Sequence, residues 1–424
     1  MLTLYEGKGK FVDFLAQKAD IVVRYNGGNN AGHTINANGI KYKFKLMPSG
    51  APLEKEGVIA NGCVVDPKVL LGEIENLKKL NKSINLKLSS TAHVIFPFHR
   101  ILDGLEEKTK GEYAAGTTKR GIGPAYSDKA ARWGLRIFDL INPEILKPKL
   151  EKLFKIKKEL IHIYDPDWVG NLEKIYEEYK SYGEKLKPYV IDTAYYLNKV
   201  IDSGKKVLFE AAQGNLLALD FGMYPYGTSS NANALGICAG TGIPPKKIGK
   251  IIGIVKAYTS RVGEGIFPTE LFNNIAEKIR EQGQEYGTVT GRPRRVGWLD
   301  LFNIKYGTII NGVDKIVITL LDALQGINPI KICTGYKLDG EVLESWPIQH
   351  EIIEKCTPIY RSFKGWNELS REKWREIAKK GYDALPSTMK LYLQAIREEL
   401  KIDIAMISIG PDRDETIVLD SNIF

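Results

Sequence analysis

Cysteine is scarce in this chain: four residues, Cys63, Cys238, Cys333 and Cys356, in 424. They lie far apart with no paired-Cys spacing, which speaks against a disulfide framework and a cysteine-based zinc site and fits a reducing, cytoplasmic setting. Long apolar runs are missing too. None approaches the roughly twenty residues a membrane-spanning helix needs, and the N-terminus lacks the apolar stretch of a signal peptide, so a soluble protein with no membrane partner is expected. No repeat, low-complexity tract or Ser/Gly linker occurs, which excludes a solenoid and a string of tethered modules.

Acidic residues are in deficit, 51 Asp and Glu against 60 Lys and Arg, for a net charge of +9. Such a balance could serve nucleic acid, acidic lipid or small anionic substrates. The excess lysines, however, fall between apolar positions, as in "LKPKLEKLFKIKKEL", where Leu146, Leu150, Leu153 and Phe154 keep a helical period. That is the pattern of a solvated helix face, and no nucleic-acid partner is expected.

What is present is an alternation. The β-rich runs "DIVVRY", "KVLFEAA", "IIGIVKAY", "KIVITLLD" and "DIAMISIG" are bounded by Gly, Pro or polar residues, and amphipathic stretches of helical length lie between several of them. This predicts an α/β fold with a large, mostly parallel central sheet and flanking helices. A mainly helical subdomain is expected at about 143–200, within a single domain spanning 1–424.

The strand ends carry the unusual residues. "NGGNNAGHT" follows the first run, "AAQGN" the second and "IGPDR" the last. Ligands of open α/β sheets sit beyond the carboxyl ends of the strands, so these loops mark an expected crevice. Gly27, Gly28 and Gly32 would let backbone approach a ligand, and Asn30, His33 and Thr34 would supply hydrogen bonds to phosphate or purine edges. Near the start, "EGKGK" reads as a phosphate-holding turn entering an amphipathic helix with Phe11, Val12, Phe14 and Leu15 as its apolar face. It lacks the spacing and the Lys-Ser/Thr pair of a full P-loop, and only "MLTLY" is available as its leading strand, so that strand is expected to be truncated.

Taken with "GTTKRGIGPAYSDKAARWGLR", "FEAAQGNLLALDFGMYPYGTSSN", "VKAYTSRVGEGIFPTEL", "GTVTGRPRRVGWLD" and "ISIGPDRDET", these segments resemble the adenylosuccinate synthetases, ligases that join aspartate to IMP at the expense of GTP. The motifs stand in the family's order over nearly the whole chain. The resemblance implies a P-loop-NTPase-like fold, purine biosynthesis, a homodimer, and one Mg²⁺ per subunit with GTP as co-substrate. It implies catalytic roles for His33, Gln213 and Lys8. IMP would be held by Asn30, Thr118, Arg132, Gln213, Thr228, Val262 and Arg292, with Arg132 reaching a nucleotide bound by the second subunit. Aspartate would be clamped by Thr290, Arg292 and Arg294 through forked guanidinium bonds. GTP would lie against Gly7, Lys8, Gly9, His33, Thr34, Arg294, Asp322, Ser408 and Gly410, and the Gly32 carbonyl would touch the metal.

Departures from the family pattern are specific. Where the family reads WGDEGKGK this chain has "TLYEGKGK", so Tyr5 replaces the aspartate that acts as base at the purine N1 and as a metal ligand. A phenol with pKa near 10 suits neither role. In "ITLLDALQ", Leu320 replaces the lysine of T-K-x-D, while Asp322, the acceptor for guanine's N1 and N2 hydrogens, is kept. Phe221, Ala211 and Val289 are smaller changes. Three readings stay open at this point: a working ligase of this type, a nucleotide-binding paralogue of low or no activity, and a related ligase with altered purine or donor.

Overall fold

Each of the five β-rich runs is a strand: Ile21–Arg24, Val207–Glu210, Ile252–Lys256, Lys315–Thr319 and Ile404–Ser408. All except the first residues of the second and fourth are buried along their length, as expected of parallel strands covered on both faces. The computed structural model describes residues 2–3, 9–37, 40–114, 116–287 and 291–423.

Contacts divide the chain into two units, Met1–Lys10, Gln213–Gly227 and Gly249–Phe424 in one, Phe11–Ala212 and Thr228–Ile248 in the other. Each is built on a five-stranded sheet. In the first, Leu2–Thr3, Ile252–Lys256, Lys315–Thr319 and Ile404–Ser408 run parallel in that order, and Thr416–Val418 closes the edge antiparallel. In the second, Val207–Glu210, Ile21–Arg24, Glu56–Ile59, Leu86–Ser89 and Val190–Ile191 are all parallel. The short strand Leu2–Thr3 pairs with Gly253 and Ile254. The helix Gly9–Ala16 has Phe11, Val12 and Leu15 buried.

The helices of the second unit obey local rules. Pro67–Lys79 opens with proline at its first turn and Asp66 as cap, its carboxylate accepting from the Val69 N–H at 3.3 Å, and ends on Lys78 and Lys79. The stretch 143–200 supplies Pro143–Tyr164, Leu172–Leu186 and Thr193–Asp202. Leu146, Leu150, Leu153 and Ile161 of the first, with Ile175, Tyr179 and Leu186 of the second, join one core with Phe96 and Phe98. Most lysines of the first helix are outside that stripe. The exception is Lys157, which is buried and pairs with Asp128, itself 2.9 Å from His99 Nε2.

Candidate active site

In the second unit, the strand Ile21–Arg24 ends in a turn fixed from several sides. Asn26 is buried, donates to Ser230 Oγ at 3.2 Å and accepts from the Ala212 N–H at 2.8 Å, so it ties the ends of two neighbouring parallel strands together. Gly27 has a φ of 76°, and its N–H donates to the Tyr126 hydroxyl oxygen at 2.9 Å, while that hydroxyl donates to the Gly62 carbonyl at 2.7 Å. A Cβ on Gly28 would lie 2.7 Å from the Val64 carbonyl oxygen, so no side chain fits there. The glycines are therefore spent on close packing of the turn as well as on any approach to ligand.

This turn carries Asn30, Gly32, His33 and Thr34. Asn30 Oδ1 accepts from the Gly28 N–H at 3.3 Å, and its neighbour Asn29 is pinned to Asp66 Oδ2 at 2.9 Å. Gly32 is exposed, Thr34 half-buried, and His33 buried at the head of a two-stranded ribbon where it faces Phe44. Arg24 Nη1 stands 3.4 Å from His33 Nδ1, and Arg24 Nε is 3.5 Å from Glu210 Oε1. A guanidinium has no acceptor, so Nδ1 presents its lone pair to it and the imidazole proton resides on Nε2.

Thr118, Arg132 and Thr228 lie on other loops of this unit. The segment before the helix Ile122–Ala131 is tied to the helix Pro97–Thr109, with the Thr117 hydroxyl and the Gly121 N–H each donating to Asp103 at 2.8 Å. Thr118 is left exposed between them. Arg132 ends that helix in left-handed conformation, φ 66°, and is exposed together with Trp133. Thr228 is half-buried.

In the first unit, Gln213 has a φ of 58°, and its Oε1 is buried with no hydrogen-bond partner among the described residues. Gly214 and Leu217 just after it, with Val262, Arg261 and Asp300, line a mainly apolar cavity of about 80 Å³. Arg292 and Arg294 stand on a hairpin whose base is a backbone ladder: the Arg294 N–H donates to the Glu285 carbonyl at 2.8 Å, the Gly287 N–H to the Arg292 carbonyl at 2.8 Å, and the Gly291 N–H to the Gly287 carbonyl at 2.7 Å. Arg292 is exposed and Arg294 largely buried.

At the ends of two adjacent strands of this unit the structure gathers Lys10, Asp322, Ser408 and Gly410. Leu320 takes the left-handed conformation, φ 59°, and turns the chain into the short helix that bears Asp322. Asp322 Oδ2 accepts from Arg371 at 3.2 Å, and Oδ1 is buried with no partner among the described residues. Burial holds this carboxyl above its ordinary pKa, with the Arg371 charge working the other way. Lys10 donates to Ser408 Oγ and to the Gly410 carbonyl, each at 2.8 Å, and burial lowers its pKa to about 8.

Tyr5, Gly7, Lys8 and Thr290 lie outside the described residues, and Gly9 is the first residue of its helix. Sequence reasoning passed over Arg24, Glu210, Lys10, Lys256, Glu285 and Arg371, whose charged groups brace those it singled out. A signal existed: Arg24, Glu210 and Lys256 each end an otherwise apolar buried strand, where an unpaired charge is not tolerated.

Glycine-built turns and buried polar atoms at the carboxyl ends of parallel strands define the class, an α/β protein with polar loops where open sheets ordinarily take their ligands. The family model for adenylosuccinate synthetase matches residues 5–417. The adenylosuccinate synthetase of Caldicellulosiruptor bescii is 49% identical over 421 residues, 98% of this chain and 97% of the relative. That of Brachyspira hyodysenteriae is 49% identical over 418 residues, 98% and 96% of the two chains. The fully ligated adenylosuccinate synthetase of Plasmodium falciparum superposes with a TM-score of 0.91 at 40% identity, covering 98% of this chain and 99% of that one. The chain belongs to the adenylosuccinate synthetase family. It is a ligase of purine biosynthesis.

Proposed function

We propose that the chain joins L-aspartate to IMP, giving adenylosuccinate, GDP and phosphate from GTP. The γ-phosphoryl group goes to the purine O6, and the aspartate amine then attacks C6 and expels phosphate. Transfer of this kind gains mainly from positioning and from donors aimed at developing negative charge. His33, protonated on Nε2, donates to the moving phosphoryl group. Gln213 steadies the purine O6, Lys8 with the N–H groups of Gly7 and Gly9 holds phosphates, and Arg292, Arg294 and Thr290 take the dicarboxylate. IMP rests on Asn30, Thr118, Thr228, Val262 and Arg292, and GTP additionally on Thr34, Arg294, Ser408 and Gly410.

The observation that carries the nucleotide assignment is Oδ1 of Asp322, buried and with no partner among the described residues, beside a carboxylate oxygen already given to Arg371. It can accept from guanine's N1 and N2 hydrogens, and adenine offers no such pair. The test is adenylosuccinate formation from IMP and aspartate, followed by absorbance, with GTP or ATP as donor. GTP is expected to support turnover and ATP to fail; equal use of both would overturn the assignment.

Magnesium fits the residues in a limited way. Gly32 is exposed next to His33 and its backbone carbonyl would be the protein ligand, and this ion ordinarily completes its octahedron with water and substrate phosphates. When bound it supplies neutralisation of phosphate charge. In the acidic group Asp412, Asp414 and Glu415, Asp412 pairs with Arg375 and Glu415 with Arg371, and the group is not assigned to it.

The reading includes a homodimer in which the exposed Arg132 of one copy serves the IMP site of the other. Sedimentation with and without IMP tests it, and a monomer in both conditions would rule it out. Four free cysteines support a cytoplasmic setting.

A further inference from the structure

Beneath the arginine hairpin lies a buried group of charges centred on Glu285, a residue outside the quoted sequence motifs. Glu285 is 1% exposed and Lys256 2%. One oxygen of the Glu285 carboxylate accepts from Lys256 Nζ at 2.5 Å and from the Tyr258 hydroxyl at 2.6 Å; the other accepts from Arg294 Nη1 at 3.0 Å. Lys256 Nζ also donates to Ser260 Oγ at 2.6 Å. Burial works to raise the Glu285 pKa, but the charges of Lys256 and Arg294 prevail and hold it below the ordinary value.

Two features make this more than a core ion pair. Glu285 binds Arg294 twice on one rung, through its carbonyl to the Arg294 N–H at 2.8 Å and through its carboxylate to the guanidinium. Among the described residues the Glu285 carboxylate is also shared by two cations, Lys256 and Arg294. An arginine whose stem and one nitrogen are fixed has little rotamer freedom left to lose when a carboxylate ligand arrives.

We propose that Glu285 is the positioning residue for dicarboxylate capture: it orients Arg294, and through the hairpin Arg292, without touching the substrate itself. This rests on the reading of Arg292 and Arg294 as the aspartate clamp. Loss of its charge weakens the ground state and the transition state alike, so the KM for aspartate rises while kcat changes little.

The test is steady-state kinetics on the intact enzyme with Glu285→Gln, with Glu285→Asp as the conservative variant, and with the double variant Lys256→Met/Glu285→Gln, which removes the buried lysine charge together with its partner. The expected result for Glu285→Gln is a rise of about tenfold or more in the KM for L-aspartate, larger than any rise in the KM for IMP or GTP, which share Arg292 and Arg294, with kcat within about threefold of the parent. Glu285→Asp is expected to fall between the two. The double variant is expected to keep the raised aspartate KM, and it provides the decisive reading if the single variant does not fold. An unchanged aspartate KM in Glu285→Gln overturns the proposal, as does its return to the parent value in the double variant, which would assign Glu285 to charge balance alone. A parent enzyme that turns over IMP and GTP with no dependence on aspartate overturns the clamp reading itself, visible before any variant is made, and the proposal falls with it.

Discussion

Arg24 Nη1 lies 3.4 Å from Nδ1 of His33, both side chains are buried, and the cation is backed by the equally buried Glu210. Arg24 and Glu210 are register partners across two parallel strands, so the strand pairing brings anion, cation and imidazole into one chain of contacts. The arrangement fixes which ring nitrogen carries the proton. Replacing Arg24 by Met is expected to destabilise the protein by about 3–5 kcal/mol, because Glu210 is left buried without its cation. The double variant Arg24→Met/Glu210→Leu should recover most of that stability while kcat stays depressed by about tenfold or more, since the tautomer is no longer imposed. Denaturant unfolding and turnover measured on both variants check this; full recovery of kcat in the double variant would make the pair purely structural.

Lys10 gives a pH dependence to nucleotide use. Its pKa is lowered by burial to about 8, so its cation is present below that pH and lost above it. The kcat/KM for GTP, which reports the free enzyme, is expected to fall as pH rises through about 8. In Lys10→Met the whole profile should be lower and this limb absent. A limb that persists in the variant assigns it to another group.

Asp300 gives a pH dependence to stability. It is buried, caps the helix Leu301–Asn311 by accepting from the Asn303 N–H at 3.0 Å, and accepts from the Tyr336 hydroxyl at 2.6 Å. Burial raises its pKa from 3.8 to about 6 in spite of these bonds. Between those values the folded chain holds a proton that the unfolded chain has lost, so this residue's contribution to stability falls as pH rises from about 4 to 6, by about 3 kcal/mol in all. Asp300→Asn keeps the cap and removes the titration. On going from about pH 4 to about pH 6, the two ends of the window, the unfolding free energy should fall less, or rise more, in the variant than in the parent; an equal change in both would assign the effect elsewhere.

Tyr5 bears on the chemical step. A phenol is a poor base for the purine N1 proton, and restoring a carboxylate with Tyr5→Asp is expected to raise kcat by about 10²-fold. Binding of IMP and GTP should change much less. A variant no faster than the parent would show that another group takes the proton.

Much of the fold was legible because its signals are local. Apolar runs ended by glycine or polar residues mark Ile21–Arg24 and Ile404–Ser408, and the period of Leu146, Leu150 and Leu153 marks a helix, since each reports which side of one element meets water. The loops after the strands were legible for the same reason, and so was the arginine run at Arg292 and Arg294. Tertiary structure alone decided how strands are shared between two five-stranded sheets, and which charges meet in the core. Glu210 reaches Arg24 only because the register of strands 186 residues apart sets them opposite each other, and Glu285 reaches Lys256 only when the hairpin folds back over the strand that ends there. A charge can be paired from any distance along the chain, because burial penalises its isolation and takes no account of sequence separation.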